Sequence, residues 1–359
     1  MFIIEVLPAQ RGDCLWITYG EPSDLHHVLI DGGPQDTIPT LVPELEKRIA
    51  ALPGKTNRVE LLVVTHVDAD HIQGVVSLLS DHRRVPLFKD VWFNGWAHLQ
   101  GLNATAALLG GPDGERLTEA LQAHPRRWNK AFRGNPVELP ETGPPPVRML
   151  AGGLELTVLG PTRQALESLV KNWEDACRKA GIVPGQGAPI KKKSWQRTDL
   201  LGFDAELLAK TPYRRDSGPA NRASITLIAR YGGRSVLLTG DAHAEELLIG
   251  LDRLGPGVHD FTAVKMSHHG SRRNTSTKLC ERIRSRQWLI STNGATFGHP
   301  DSAALARVIV SQRKPTFALN YATEHVTDLV ANAGDAYQVR LPKQGRDGTR
   351  AEGILVRLT

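Results

Sequence analysis

Apolar and polar positions along the 359-residue chain alternate in short runs broken by polar loops, which is the rhythm of strands more than of long helices. Phe2 to Leu7 and Cys14 to Tyr19 are the first strand candidates, and His27 to Ile30 runs into the turn Asp31-Gly32-Gly33-Pro34. Residues 59–64 predict another strand. Beyond it Ile72, Val75, Val76 and Leu79 fall at i, i+3, i+4 and i+7, the stripe of an amphipathic helix. The intervening Thr65-His66-Val67-Asp68-Ala69-Asp70-His71 is therefore expected on a strand-to-helix loop.

From about residue 94 to 220 the texture changes. Gly143-Pro144-Pro145-Pro146 breaks the pattern, residues 181–188 are Gly-rich, and Lys191-Lys192-Lys193 and Arg214-Arg215 are basic. Leu154 to Leu159 alternates as a strand of the main sheet should, and the remainder is expected to be an inserted, variable region within a single 1–359 domain. After Asn221 the strand rhythm returns: Ser224 to Arg230, Ser235 to Thr239 leading into Gly240-Asp241, Ala263 to Met266 leading into Ser267-His268-His269-Gly270-Ser271, and Trp288 to Ser291 with Gly298-His299-Pro300 just beyond. At least four apolar strands thus end in loops rich in Asp, His, Ser or Gly. Chemistry is expected at one edge of the sheet.

Composition narrows this only a little. A hydrophobic content of 40% and a charged content of 23% fit an ordinary globular protein, and the length allows a sizeable core. The net charge of +6 and pI near 9.3 permit a polyanionic substrate without demonstrating one. Cys14, Cys177 and Cys280 are odd in number and far apart, which favours a reducing compartment. The start Met1-Phe2-Ile3-Ile4-Glu5 reaches an acid at once, and no run is long enough to span a bilayer, so a soluble cytoplasmic protein with no membrane partner is expected.

The densest chemistry is at 66–71, where two histidines and two aspartates fall within six positions. In extended backbone, residues two apart project the same way. Imidazole nitrogen and carboxylate oxygen together suit zinc or manganese, and a set without thiolate points to a catalytic site rather than a structural one. Each piece alone has a plain reading: solvated loop residues at 66–71, a tight turn at Asp31-Gly32-Gly33, a strand end at Gly240-Asp241, a surface pair at His268-His269.

Taken in order, these pieces resemble the metallo-β-lactamase superfamily and, within it, the soluble hydrolase domain at the C-terminal end of the competence DNA-uptake protein ComEC. The resemblance rests on Gly12-Asp13, Leu29 to Gly33, Thr65 to His71 with Gly74, Asn221 to Ser224, Leu238 to Asp241, His268 to Ser271 and Ser291 to Pro300. It implies an α/β four-layer αββα sandwich with its active site along one edge, and a centre of two divalent metal ions, Zn or Mn. His66 and Asp68 would serve the first ion, Asp70 and His71 the second, Asp241 would bridge both, and His268 or His269 would complete the second set. Asp31 would stand behind a ligand histidine. Many members of the superfamily have histidine where Asp68 stands, although ComEC-type domains share the aspartate, and the harder oxygen tilts preference towards manganese. The third histidine of the first set has no clear counterpart, since Asn221-Arg222-Ala223-Ser224 fills that place.

Two cations about 3.5 to 4 Å apart lower the pKa of a shared water and hold two oxygens of an in-line displacement at phosphorus. Asp70 would orient the resulting hydroxide and take its proton, while Lys265, His299 and Ser271 would stabilise charge on the phosphate. Arg126-Arg127-Trp128-Asn129-Lys130 with Arg133, and Lys191 to Arg197 with Lys192 and Trp195, interleave cations with tryptophans, a composition that grips phosphates and stacks bases, or docks a protein partner. The leading expectation is a metal-dependent phosphodiesterase or nuclease acting on DNA or RNA. The alternatives are a metallo-hydrolase of a small molecule such as a cyclic nucleotide, thioester or lactone, and a binding module with a vestigial site.

Overall fold

The computed structural model of the chain describes residues 1–99, 112–170, 203–322, 327–343 and 353–358. Its strands, in chain order, are β1 (Phe2–Val6), β2 (Leu15–Glu21), β3 (Asp24–Ile30), β4 (Leu61–Val63), β5 (Val91–Trp92), β6 (Val147–Met149), β7 (Glu155–Gly160), β8 (Thr226–Tyr231), β9 (Arg234–Leu238), β10 (His259–Lys265), β11 (Ile283–Ile290), β12 (Thr316–Leu319), β13 (Gln338–Arg340) and β14 (Ile354–Arg357). They form two sheets, one ordered β14-β1-β2-β3-β4-β5 and the other β13-β12-β11-β10-β9-β8-β7-β6. In each sheet a run of antiparallel strands gives way to parallel ones, at β3–β4 in the first and at β9–β10 in the second.

Two-residue periodicity decides what each strand buries. Phe2, Ile4 and Val6 of β1 and Leu15, Ile17 and Tyr19 of β2 point between the sheets, where they meet Leu227, Ala229, Val236 and Leu238 of the other sheet in one core. Trp16 and Leu29 point the opposite way and pack with Leu41, Val42 and Leu45 of the helix Ile38–Ala51 and with Ile72 and Val75 of the helix Ala69–Leu78. The outer face of the second sheet is covered in the same way, with Ile228 and Leu237 packing on Leu247 and Leu251 of Ala244–Asp252 and on Leu305 and Val308 of Ser302–Ser311. The layers are helix, sheet, sheet, helix, the expected αββα sandwich.

The strands predicted in both halves are present, most with ends moved by one to three residues. The largest differences are β10, which begins at His259, and β11, which begins at Ile283. Their first halves alternate exposed charge with burial, so the apolar run shows only the deeper end. The described parts of 94–220 are more integrated than an excursion. Leu117, Leu121 and Trp128 are buried in the core over the first sheet, Phe132 and Val137 lie in the core between the sheets, and β6 and β7 form an edge of the second sheet.

What positions the site is close backbone contact between loops. A Cβ added to Gly12 would lie 1.8 Å from the Asp70 carbonyl oxygen, and one on Gly74 would lie 1.8 Å from that of Gly32. Only glycine allows these approaches. They let Gly33 N donate to Asp13 O, Gly32 N to His71 O and Gly74 N to Gly33 O, all at 2.8 to 2.9 Å, so the loops after β1, β3 and β4 act as one body.

Candidate metal centre

The 66–71 segment lies where expected, after β4 and into the helix Ala69–Leu78. His66 leaves the loop after β4 and Asp68 the extended residue just before the helix, while Asp70 and His71 leave the helix's first turn. Asp241 follows β9 through Gly240, and His268 and His269 follow β10. Both of these histidines have left-handed backbone, φ 49° and 56°, a conformation that costs energy for residues with a Cβ. His268 N donating to Gly240 O at 3.2 Å holds this turn against the Asp241 loop.

Four imidazoles converge on one carboxylate oxygen. The Nε2 atoms of His71, His269, His268 and His66 lie 3.3, 3.5, 3.7 and 4.0 Å from Asp241 Oδ2. Asp70 Oδ2 is 3.4 Å from His269 Nε2, and Asp68 Oδ2 is 3.8 Å from His66 Nε2. Donors about 2.0 to 2.2 Å from one ion in a tetrahedral set stand roughly 3.4 Å apart, so most of these spacings suit ligands sharing a cation. Each Nδ1, by contrast, has a fixed partner: Asp31 Oδ2 at 2.8 Å for His71, Ser291 O at 2.8 Å for His269, Thr65 Oγ1 at 3.0 Å for His66 and Asn274 Oδ1 at 3.1 Å for His268. That arrangement fixes the ring and turns a lone pair on Nε2 inwards. The Nε2 atoms of His66, His71 and His269 and Asp241 Oδ1 are buried without a hydrogen-bond partner, a costly state that a bound cation relieves. Ligand atoms of Asp13, His71, Asp241 and His269, all buried, lie within 4.8 Å of one another. On these observations the residues fit divalent metal ions.

The electrostatics agree. Burial alone would raise the Asp241 carboxyl, but His71, His269 and His268 hold it well below the usual carboxylate range. Burial works against charge on His71 too, and Asp241 and Asp31 overturn it, holding the imidazole well above its ordinary value. Confinement first, and then the like charges of Asp70 and Asp241, push the Asp68 carboxyl up to about 7, although 45% of that side chain still meets solvent. A cation among them removes the like-charge part of that cost.

Other expected residues are placed differently. Lys265 is 1% exposed and its Nζ is engaged by Asp13 Oδ2 at 2.7 Å and Met266 O at 3.0 Å, so it holds Asp13 beneath the centre and cannot reach a phosphate. Ser271 is buried and its hydroxyl oxygen accepts from Arg273 N, which takes it out of substrate reach. His299 stands at the rim with its ring 5.5 Å from that of His268, and burial pushes its pKa down to about 3, so it faces the centre as a neutral imidazole. Trp128 is buried with its indole N–H donating to Phe93 O, and Arg127 is tied to Asn57 and Phe88 O, so the first tryptophan-containing basic run is structural at its centre. Lys192 and Trp195 lie outside the described residues.

Two participants were not singled out from the sequence. Asp13 lies 3.4 Å from His269 Nδ1, and its only signal was its place after Gly12. Asp216 accepts from Asn221 Nδ2 at 2.7 Å and lies 3.4 Å from His268 Nδ1, yet in Arg215-Asp216-Ser217-Gly218 it reads as a turn.

Neither a protein-family model nor a curated protein matches this chain. Several solved structures resemble it at low identity. A mutant of the CmlA beta-hydroxylase is 12% identical with a TM-score of 0.38, and the match covers 99% of this chain and 54% of that one, so the chain spans about half of CmlA's length. The metallo-beta-lactamase fold protein YhfI from Bacillus subtilis is 9% identical with a TM-score of 0.35, and Zn(2+)-bound PqqB from Methylobacterium extorquens 10% with a TM-score of 0.40; each match covers 99% of this chain and 100% of the other. By its own topology, two sheets face to face between helical layers with the centre at one edge, the chain has the metallo-β-lactamase fold.

Proposed function

We propose that the protein is a metal-dependent hydrolase of phosphodiesters whose substrate is DNA or RNA. The observation that carries the metal-dependent part is the convergence of four Nε2 atoms on Asp241 Oδ2 with every Nδ1 tied elsewhere. His66, Asp68, Asp70, His71, Asp241 and His269 would hold a pair of divalent ions, zinc or manganese. When bound, such a pair supplies a water acidic enough to attack at neutral pH and Lewis acidity towards phosphate oxygens.

The chain's own groups do the rest. Asp70, only partly exposed and held down to about 2 by His269 and His71 against the effect of burial, is ionised and turned towards the centre, where it orients the attacking water. Asp31, Thr65 and Ser291 fix the imidazoles so that no ring has to turn during the reaction. Neutral His299 at the rim can donate one hydrogen bond to a substrate oxygen.

A nucleic-acid substrate is supported by charge beside the centre. Arg214 and Arg215 precede Asp216, Arg272 and Arg273 follow His269 by a few residues, all four are exposed, and Asp216 N donating to Arg273 O at 3.1 Å brings the two pairs together. Guanidiniums so placed attract a polyanion and pair with phosphates. The resemblance to ComEC-type domains favours the same class. The test is to incubate wild type and Asp70→Asn with linear and circular, single- and double-stranded DNA and RNA in manganese or zinc, beside bis-p-nitrophenyl phosphate and a lactam. Metal-dependent cleavage of nucleic acid that Asp70→Asn abolishes is expected. Equal behaviour of the two proteins, or turnover of the small substrates alone, overturns the reading.

A further inference from the structure

On the His66 side of the centre the ligand set is short. His66 Nε2, Asp68 Oδ2 and Asp241 Oδ2 gather there, and the neighbouring Asn221 is committed through its Nδ2 to Asp216. On the other side Asp70, His71, Asp241 and His269 already make four. His268 is the imidazole left over. Resting on the dinuclear reading above, we propose that His268 coordinates the first ion through Nε2, completing the set of His66, Asp68 and Asp241, and that Asp216 is the residue that positions it.

The geometry supports this assignment in three ways. His268 Nε2 lies 3.7 Å from Asp241 Oδ2, nearer than His66 Nε2 at 4.0 Å. Its Nδ1 has two acceptors in reach, Asn274 Oδ1 at 3.1 Å and Asp216 Oδ2 at 3.4 Å, against one donor, Asn221 Nδ2 at 3.3 Å, which already donates to Asp216 Oδ2 at 2.7 Å; Asn274 in turn donates to Asp216 Oδ2 at 3.2 Å and to Asp241 O at 3.0 Å. This network places the proton on Nδ1 and leaves Nε2 basic, as a ligand requires. The backbone is held for it as well. Left-handed φ at both His268 and His269 sends consecutive side chains into one centre, which regular helix or strand does not do.

Cobalt(II) titration of the full chain tests the assignment, with bound metal counted after gel filtration and visible d–d absorption recorded. The variants are His268→Gly, which relaxes the left-handed turn while removing the ligand, His269→Ala and Asp216→Asn, each checked by thermal melting. Wild type is expected to take two ions per chain, and His268→Gly and His269→Ala one each, with different residual spectra. Asp216→Asn is expected to keep two ions and to lose about 10- to 100-fold in affinity for one of them. If wild type takes two ions and His268→Gly retains both at unchanged affinity, or loses both, this inference falls and the dinuclear reading stands. A wild type that takes fewer than two ions overturns the dinuclear reading, and this inference with it.

Discussion

Asp31→Asn isolates what holds a ligand histidine in place. The Asp31 carboxylate is fully buried and accepts three hydrogen bonds: Thr65 N at 2.8 Å on Oδ1, and Thr65 Oγ1 at 2.7 Å and His71 Nδ1 at 2.8 Å on Oδ2. An asparagine offers one oxygen and one NH2 group in the same volume. With its oxygen on Thr65 N, the NH2 group faces His71 Nδ1, which must then accept, so the ring proton moves to Nε2. That nitrogen, 3.3 Å from Asp241 Oδ2, is then closed to a metal ion. With the amide turned round, a donor faces the buried Thr65 N–H and strands it, at a cost of about 1 to 3 kcal/mol. Either way His71 loses the carboxylate charge behind its Nδ1, and partners of this kind are each worth about 10- to 100-fold in metal affinity, or roughly 1.4 to 2.7 kcal/mol. The backbone is not what changes, because Asp31 has φ 58° and asparagine tolerates left-handed backbone as well as aspartate does. Competition for zinc with a chromophoric chelator measures the loss, and circular dichroism confirms the fold. A variant that binds zinc within twofold of wild type would refute the reasoning.

Three further outcomes follow from the packing. Gly74→Ala, whose Cβ would lie 1.8 Å from a backbone oxygen, is expected to lose about 1 to 3 kcal/mol or more in urea unfolding, against less than about 0.5 kcal/mol for Gly334→Ala, where nothing lies within 4 Å; equal losses would show that the loop contact is not tight. Lys265→Met strands the Asp13 carboxylate and is expected to cost about 3 to 5 kcal/mol of stability, whereas a variant as stable as wild type but inactive would return Lys265 to the phosphate-binding role. His98, which burial pushes down to about 4 and whose Nε2 lies 3.2 Å from Asn129 Nδ2, is neutral in the fold; the unfolded chain takes up its proton near pH 6.5, so up to about 3 kcal/mol present above that pH is lost as pH falls towards 4. Unfolding of wild type and His98→Gln at pH 7.5 and 4.5 checks this, and equal pH dependence in the two proteins would count against it.

The legible part of the chain is the part governed by local periodicity. β1, β2, β3 and β4, β7, β8 and β9, and the helix that begins at Ala69 are apolar runs whose alternation or stripe is complete within a few residues, and the 66–71 loop follows because it lies between two of them. The two-residue β5 and three-residue β6 and β13 are too short to carry a period, and β4, equally short, shows only because it lies inside the longer largely apolar run 59–64. Trp128 and Lys265 were misread for a related reason, since a cation or tryptophan looks solvent-facing until a partner distant in sequence is known, here Phe93 O and Asp13. Asp216 escaped notice because its meaning comes from Asn274 and His268, more than fifty residues downstream. The choice between His268 and His269 depends on left-handed φ values at both, which composition does not encode.

The readings of Lys265 and Asp216 turn on the charge balance of the centre. Asp13, Asp31, Asp216 and Asp241 are all buried and Asp70 is nearly so, and the lysine among them pairs with one carboxylate only. Buried carboxylates in such numbers destabilise a fold unless imidazolium or metal cations neutralise them. Protons and metal ions compete for the same Nε2 atoms, so metal binding here displaces protons and adds its free energy to folding. The glycine contacts that lock the loops after β1, β3 and β4 keep the carboxylates together against their repulsion, and the apolar core between the sheets gives those loops a rigid base. Lys265 belongs to that balance rather than to substrate binding. A cation fixed beneath Asp13 offsets part of the repulsion from below, which leaves the open edge, with Asp68 and His299, to the metal ions and whatever they act on.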